Sequence, residues 1–132
     1  MKNKYQTAAH RQSARRAPRP MRESYIPKPI PLTNKGELRF IPLGGCGEVT
    51  RSMYIYEYND DIVIIDMGLQ WPDEDMPGID YIIPNIEYLR PKNKNIRGII
   101  ITHGHYDHIG AIPHLLAALG NPPMYTTELT RG

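Results

Sequence analysis

A chain of 132 residues, 40% hydrophobic and carrying thirteen prolines and eleven glycines, is long enough for one modest domain with much loop or unfolded chain, and too short for two. Its net charge of +2 hides a cationic tail on an acidic body: up to Lys35 nine basic side chains face Glu23 alone, and the remainder holds seven basic against thirteen acidic ones. Cys46 is the only cysteine, which excludes an internal disulfide; no apolar stretch approaches a membrane span, and a basic N-terminus without an apolar core argues against a secretory signal, so a soluble cytoplasmic protein without a membrane partner is expected.

Residues 1–35 show no apolar periodicity, and Pro18, Pro20, Pro27, Pro29 and Pro31 keep them from helix or sheet. A disordered basic tail is expected there, either a solubilising terminus or an arm that neutralises nucleic-acid phosphates. Pro18 and Pro20 also spoil the amphipathic helix of a transit peptide.

Order is expected to begin at Glu37. Leu38-Arg-Phe-Ile-Pro-Leu43 reads as a strand, and Gly44, Gly45 and Gly47 make a tight loop where backbone takes positive φ or approaches something closely. Ser52 to Tyr58 alternates with the period of a strand, Asn59-Asp60-Asp61 is turn chemistry, and Ile62 to Ile65 is a continuous apolar run ending at Asp66. Together these predict a hairpin whose second strand is buried on both faces. Met67 to Asp80 is a loop with the acidic run Asp73-Glu74-Asp75; Tyr81 to Leu89 is ambiguous, with a short helix after Pro84 as one reading. Ile96 to Thr102 is another buried strand. Ile112, Leu115, Leu116 and Leu119 fall on one helical face, with Pro113 in the first turn and Gly120-Asn121-Pro122 as a stop, and Met124 to Thr126 opens one more strand.

The strongest chemical signal is His103-Gly-His105-Tyr-Asp107-His108, three histidines and one aspartate within six residues, directly after a buried strand and before a helix. From this chain's own His and Asp content such a pattern arises by chance in about four of ten thousand chains of this length, so a surface histidine loop is the weaker explanation. His103 and His105, two apart, can reach one cation, while Asp107 and His108 point toward a second position. Nitrogen donors with one carboxylate suit zinc at about 2.0–2.2 Å. Two such ions about 3.5–4 Å apart can hold the attacking and leaving oxygens of a phosphodiester. Asp66, at the end of a buried strand, either accepts the N–H of a ligating histidine and fixes its tautomer or is simply a turn-forming aspartate.

Other residues carry less. His114 lies off the apolar stripe and reads as a solvated helix residue, His10 as inert, and Cys46 as a small buried side chain rather than a thiolate ligand. Arg51 either meets a phosphate or is an ordinary surface arginine. Trp71 either stacks on a base or pins its loop.

The histidine string resembles the His-X-His-X-Asp-His signature of the metallo-β-lactamase superfamily, with Asp66 at the place of that superfamily's first acid. Leu43-Gly-Gly-Cys-Gly-Glu48, Ser52-Met-Tyr-Ile-Tyr-Glu57, Ile65-Asp-Met-Gly-Leu69, Pro72-Asp-Glu-Asp-Met76 with Gly78-Ile-Asp80, and Ile96-Arg-Gly-Ile99 with Thr102 to Pro113 are similar to the ribonuclease J branch, over about Leu38 to Thr130. The resemblance implies an α/β architecture, the αββα sandwich of that superfamily, of which residues 36–132 would be the first-half strands and helix. It implies metal-dependent endonucleolytic and 5′-to-3′ exonucleolytic cleavage of RNA, in RNA processing and decay. Two Zn2+ ions are the implied cofactors, RNA the partner, and a homo-oligomer the state of the full-length protein. His103 and His105 would ligate one zinc and Asp107 and His108 the other; Asp107 would also orient the attacking hydroxide, and Asp66 would stand behind the ligands.

This sequence departs from that pattern at Tyr106, where an acidic residue is common, and at Thr50 and Ser52, where Gly and Asn are common. The family's further histidine ligand, its bridging aspartate, its β-CASP domain and its C-terminal domain have no counterpart here, so a truncated chain, inactive alone, is expected. The alternatives are another hydrolase of the same fold, acting on thioesters or lactams, and a catalytically incomplete RNA-binding fragment.

Overall fold

Alternation decides which side of the sheet becomes the core. In the computed structural model, which describes Ile30 and residues 34–132, strands β1 (Leu38–Gly44), β2 (Met53–Tyr58) and β3 (Asp61–Ile65) form an antiparallel meander. Strand β4 (Ile96–Ile100) then joins β3 in parallel, and the short β5 (Met124–Tyr125) joins β4 in parallel, giving the order β1-β2-β3-β4-β5. This mixed sheet with few helices is the partial α/β architecture expected. Of the basic tail expected over residues 1–35, all but Ile30, Asn34 and Lys35 lies outside the described residues.

Register places Ile41, Ile55, Ile64 and Ile99 side by side across four strands. All four are buried, and Met67, Ile86, Leu89, Ala111, Leu115 and Leu119 close over them. Each fully buried isoleucine or leucine contributes about 1.5–3 kcal/mol of transfer free energy, so this stripe is what fixes the register of β2, β3 and β4.

The hairpin turn falls at Asn59, whose φ of 53° suits an asparagine. One expectation about its second strand is corrected. Ile62 and Ile64 are fully buried, but Val63 and Ile65 are only half-buried, because among the described residues no layer covers the face that also carries Phe40 and Tyr56.

The reading of a helix after Pro84 also moves. Residues 81–89 contain only a bridge and turns, and a 3-10 helix runs over Arg90–Asn95, started by Pro91 with its pre-set φ and anchored by buried Leu89. The single helix expected around Leu115 is two short ones, α1 (Tyr106–Ile109) and α2 (Ile112–Leu115), followed by turns that stop at Gly120 with φ 85°. Its apolar stripe is placed as predicted, with Leu115 and Leu119 buried. A last short helix, α3 (Glu128–Arg131), was not foreseen; the Thr127 side chain caps it by accepting from the Thr130 N–H.

Because β3 and β4 are parallel neighbours, their carboxyl ends emerge at one sheet edge. That is where residues 66–69 and 102–108 meet.

Candidate metal centre

The edge is laced by backbone. Asp66 N–H donates to the Ile100 carbonyl at 2.9 Å, Met67 N–H to His108 at 2.7 Å, Leu69 N–H to Tyr106 at 3.1 Å, and Ala111 N–H returns to Met67 at 2.8 Å. Ser52 N–H donates to the Asp107 carbonyl at 2.8 Å while its own carbonyl accepts from Gly68 at 2.9 Å. Gly68 is required by this closeness: a Cβ there would overlap the Asp107 carbonyl. The histidine loop is therefore held at both ends by a rigid sheet rather than left as a free surface loop.

Asp66 takes φ 61°, a left-handed conformation that aspartate tolerates better than most residues. Its carboxylate is 2% exposed and accepts the Thr102 N–H at 2.8 Å, the Thr102 hydroxyl at 2.9 Å, and His108 Nδ1 at 2.8 Å. A carboxylate only accepts, so Nδ1 of His108 carries the proton and Nε2 is left with its lone pair. The Thr102 hydroxyl, with its proton directed to Asp66, can accept from His103 Nδ1 at 3.0 Å, which leaves Nε2 of His103 free in the same way. A histidine whose other ring nitrogen is engaged by an oxygen is the arrangement metal ligands require.

The free atoms converge in two pairs. His103 Nε2 and His105 Nδ1 are 3.1 Å apart, and His108 Nε2 and Asp107 Oδ2 are 3.3 Å apart. Two donors on one tetrahedral zinc, each at about 2.0–2.1 Å, stand about 3.3–3.4 Å from one another. Both separations fit that requirement within a few tenths of an ångström. The rings of His103 and His108 also lie against each other, with centroids 4.0 Å apart, so the two pairs are neighbours. Among the described residues no three His, Cys, Asp or Glu side chains surround a single point, so each pair offers two donors and no more.

The remaining candidates fall elsewhere. Cys46 is exposed, not buried as expected, between Gly45 and Gly47, both of which take positive φ. Arg51 donates twice to Glu48, at 2.7 and 2.9 Å, and is thereby committed. His114 is exposed as expected, but it stacks on Tyr81 with ring centroids 4.4 Å apart. Asp73, Glu74 and Asp75 form an exposed loop, and His10 lies outside the described residues. Sequence reasoning missed Thr102 and Gly68. Both stood in plain motifs, but their importance depends on which strands neighbour each other.

Residues 46–131 match the model of the metallo-β-lactamase superfamily, and the chain belongs to that superfamily. Membership carries metal dependence with it. Over 94 residues, 71% of this chain, it is 43% identical to ribonuclease J 2 of Staphylococcus aureus strain MRSA252 and 40% identical to ribonuclease J 2 of Staphylococcus epidermidis strain ATCC 12228, and is ribonuclease J-like over that stretch. The match spans 17% of the length of those relatives. A solved diphosphatase of the PhnP family covers 62% of this chain, itself matched over 30% of its length, at 21% identity with a TM-score of 0.36, a likeness too slight to bear on function.

Proposed function

We propose that this chain provides the first ligand-bearing half of a ribonuclease J-like enzyme, a two-zinc hydrolase that cleaves RNA phosphodiesters both internally and from the 5′ end. The observation that carries the reading is the pair of donor pairs, His103 with His105 and Asp107 with His108, each spaced for one cation and backed by Asp66 and Thr102. Two zinc ions held by these pairs would supply Lewis-acid polarisation of the phosphodiester and an acidified water at neutral pH. The chain's own groups do the positioning. Asp66 holds the His108 ring in one tautomer, Thr102 does the same for His103, and Asp107 would orient the attacking water. Similarity to two ribonucleases supports RNA as the substrate, and the basic tail supports capture of phosphate. A cytoplasmic, homo-oligomeric enzyme of RNA maturation and decay is the setting that goes with this reading.

In the protein that completes the site, His105→Ala is expected to abolish cleavage while RNA binding changes little, because the metal performs chemistry and the basic surface performs capture. Unchanged cleavage would remove the metal assignment. For the 132 residues by themselves, the two-donor limit of each pair favours capture of RNA without turnover. Salt-sensitive binding with weak zinc uptake is the expected result, and turnover with two bound zinc ions would exclude it.

A further inference from the structure

We infer that Trp71 and Tyr106 form a stacking platform for a nucleobase next to the metal loop, so that the site grips its substrate by a base as well as by phosphate. The inference rests on the RNA-cleaving reading above. Tyr106 sits between two of the proposed ligands, His105 and Asp107, yet its ring is 64% exposed. Trp71 is 63% exposed, and the two ring centroids lie 6.0 Å apart at an interplanar angle of 41°.

Large aromatic rings left in water at a reactive edge need a reason. These two are also held in place. Gln70, the residue before Trp71, exchanges two backbone hydrogen bonds with Ile82, at 2.9 and 2.8 Å, and Leu69 N–H bonds the Tyr106 carbonyl. Both backbones are thus fixed before any ligand arrives, so little ordering cost opposes stacking.

The chemistry of the neighbourhood selects a base. Asp73, Glu74 and Asp75 follow Trp71 and are exposed, which disfavours a phosphate beside the rings, whereas the neutral face of a base meets no such penalty.

Trp71 is the only tryptophan, so its emission reports on this place alone. The chain is titrated with a hydrolysis-resistant phosphorothioate oligouridylate and with an abasic oligomer of equal length and charge, while anisotropy of a label on each oligomer follows binding. Quenching of Trp71 by the base-bearing oligomer alone, with about tenfold tighter binding that Trp71→Ala removes and Trp71→Phe largely keeps, is expected. Tyr106→Glu is expected to weaken the quenching. If both oligomers bind alike and emission is unchanged, the platform falls and the nuclease reading stands. If neither binds, both fall.

Discussion

Asp66 and His108 are separated by 42 positions in the chain, yet Oδ2 of the one and Nδ1 of the other stand 2.8 Å apart. Two backbone facts bring them together: the parallel pairing of β3 with β4, and the left-handed turn at Asp66 that aims its carboxylate across the sheet edge. The contact sets the tautomer of His108 and so decides which ring nitrogen faces Asp107.

Asp66→Asn tests that contact with little disturbance to the fold, since asparagine tolerates the same positive φ. The amide lacks the charge that favours Nδ1–H, and can turn its NH2 toward the ring. Zinc affinity is expected to drop about 10- to 100-fold, the usual consequence of losing such a partner. Competition against a chromogenic chelator measures it, and equal affinity in the two proteins would show that Asp66 is only a turn residue.

Gly68→Ala separates close approach from conformational freedom. The added Cβ meets the Asp107 carbonyl and the Ser52 N–H, both fixed backbone, so the loop must move away. A loss of about 3 kcal/mol in urea unfolding is expected, at the upper end for overpacking. Gly36→Ala is the control: its φ is 86° but nothing lies within 4 Å, and about 1 kcal/mol of left-handed strain is the expected cost.

A buried ion pair away from the metal loop gives the fold a pH dependence. Glu57 on β2 is 2% exposed, receives a hydrogen bond from the Tyr88 hydroxyl, and lies 2.5 Å from Lys92 Nζ. Burial pushes its carboxyl up, but the hydrogen bonds from Lys92 and Tyr88, with the charges of Lys92 and Arg39, outweigh it and hold the carboxyl below its usual range. A lowered native value means that the stabilisation is complete above the unfolded value, about 4.3, and is lost as pH falls through the lowered one. For Lys92 burial pulls the ammonium down, but hydrogen bonds to Glu57 and Tyr88 and their charges raise it above the ordinary value. Its share is complete below the ordinary lysine value and lost as pH rises through the raised one. Lys92→Met leaves the buried carboxylate with the Tyr88 hydrogen bond and Arg39 4.0 Å away but without its ammonium partner, and is expected to cost about 3 kcal/mol at neutral pH. Adding Glu57→Gln should return much of this, as urea titrations of both variants would show.

The histidine loop was legible because it needs no tertiary information: four ligand types crowd one bend after an apolar run. The strands at Leu38, Ile62 and Ile96 were legible from alternation and β-branched runs. Other features depend on neighbours in space. Thr102 looks like the last residue of a strand until Asp66 is set beside it by β3–β4 pairing. Val63 and Ile65 read as core in an apolar run, and only their half-burial, with no layer over that face among the described residues, shows otherwise. The 3-10 turn at Arg90–Asn95 carries no apolar stripe of its own, so periodicity had nothing to report there.

Thr102 itself yields the last test. Its backbone N–H bonds Asp66 whatever the side chain, so Thr102→Val leaves one of the two groups it offers. The lost hydroxyl also faced His103 Nδ1, so the valine variant frees the tautomer of His103 while that of His108 stays pinned by Asp66. Zinc affinity is therefore expected to fall several-fold, less than in Asp66→Asn, and Thr102→Ser to restore it because the hydroxyl is all that matters. Chelator competition on the three proteins checks the order. In the double variant with Asp66→Asn, the valine should add less than it costs alone, since both side chains act through one network. Full additivity would mean that Thr102 and Asp66 support the loop independently.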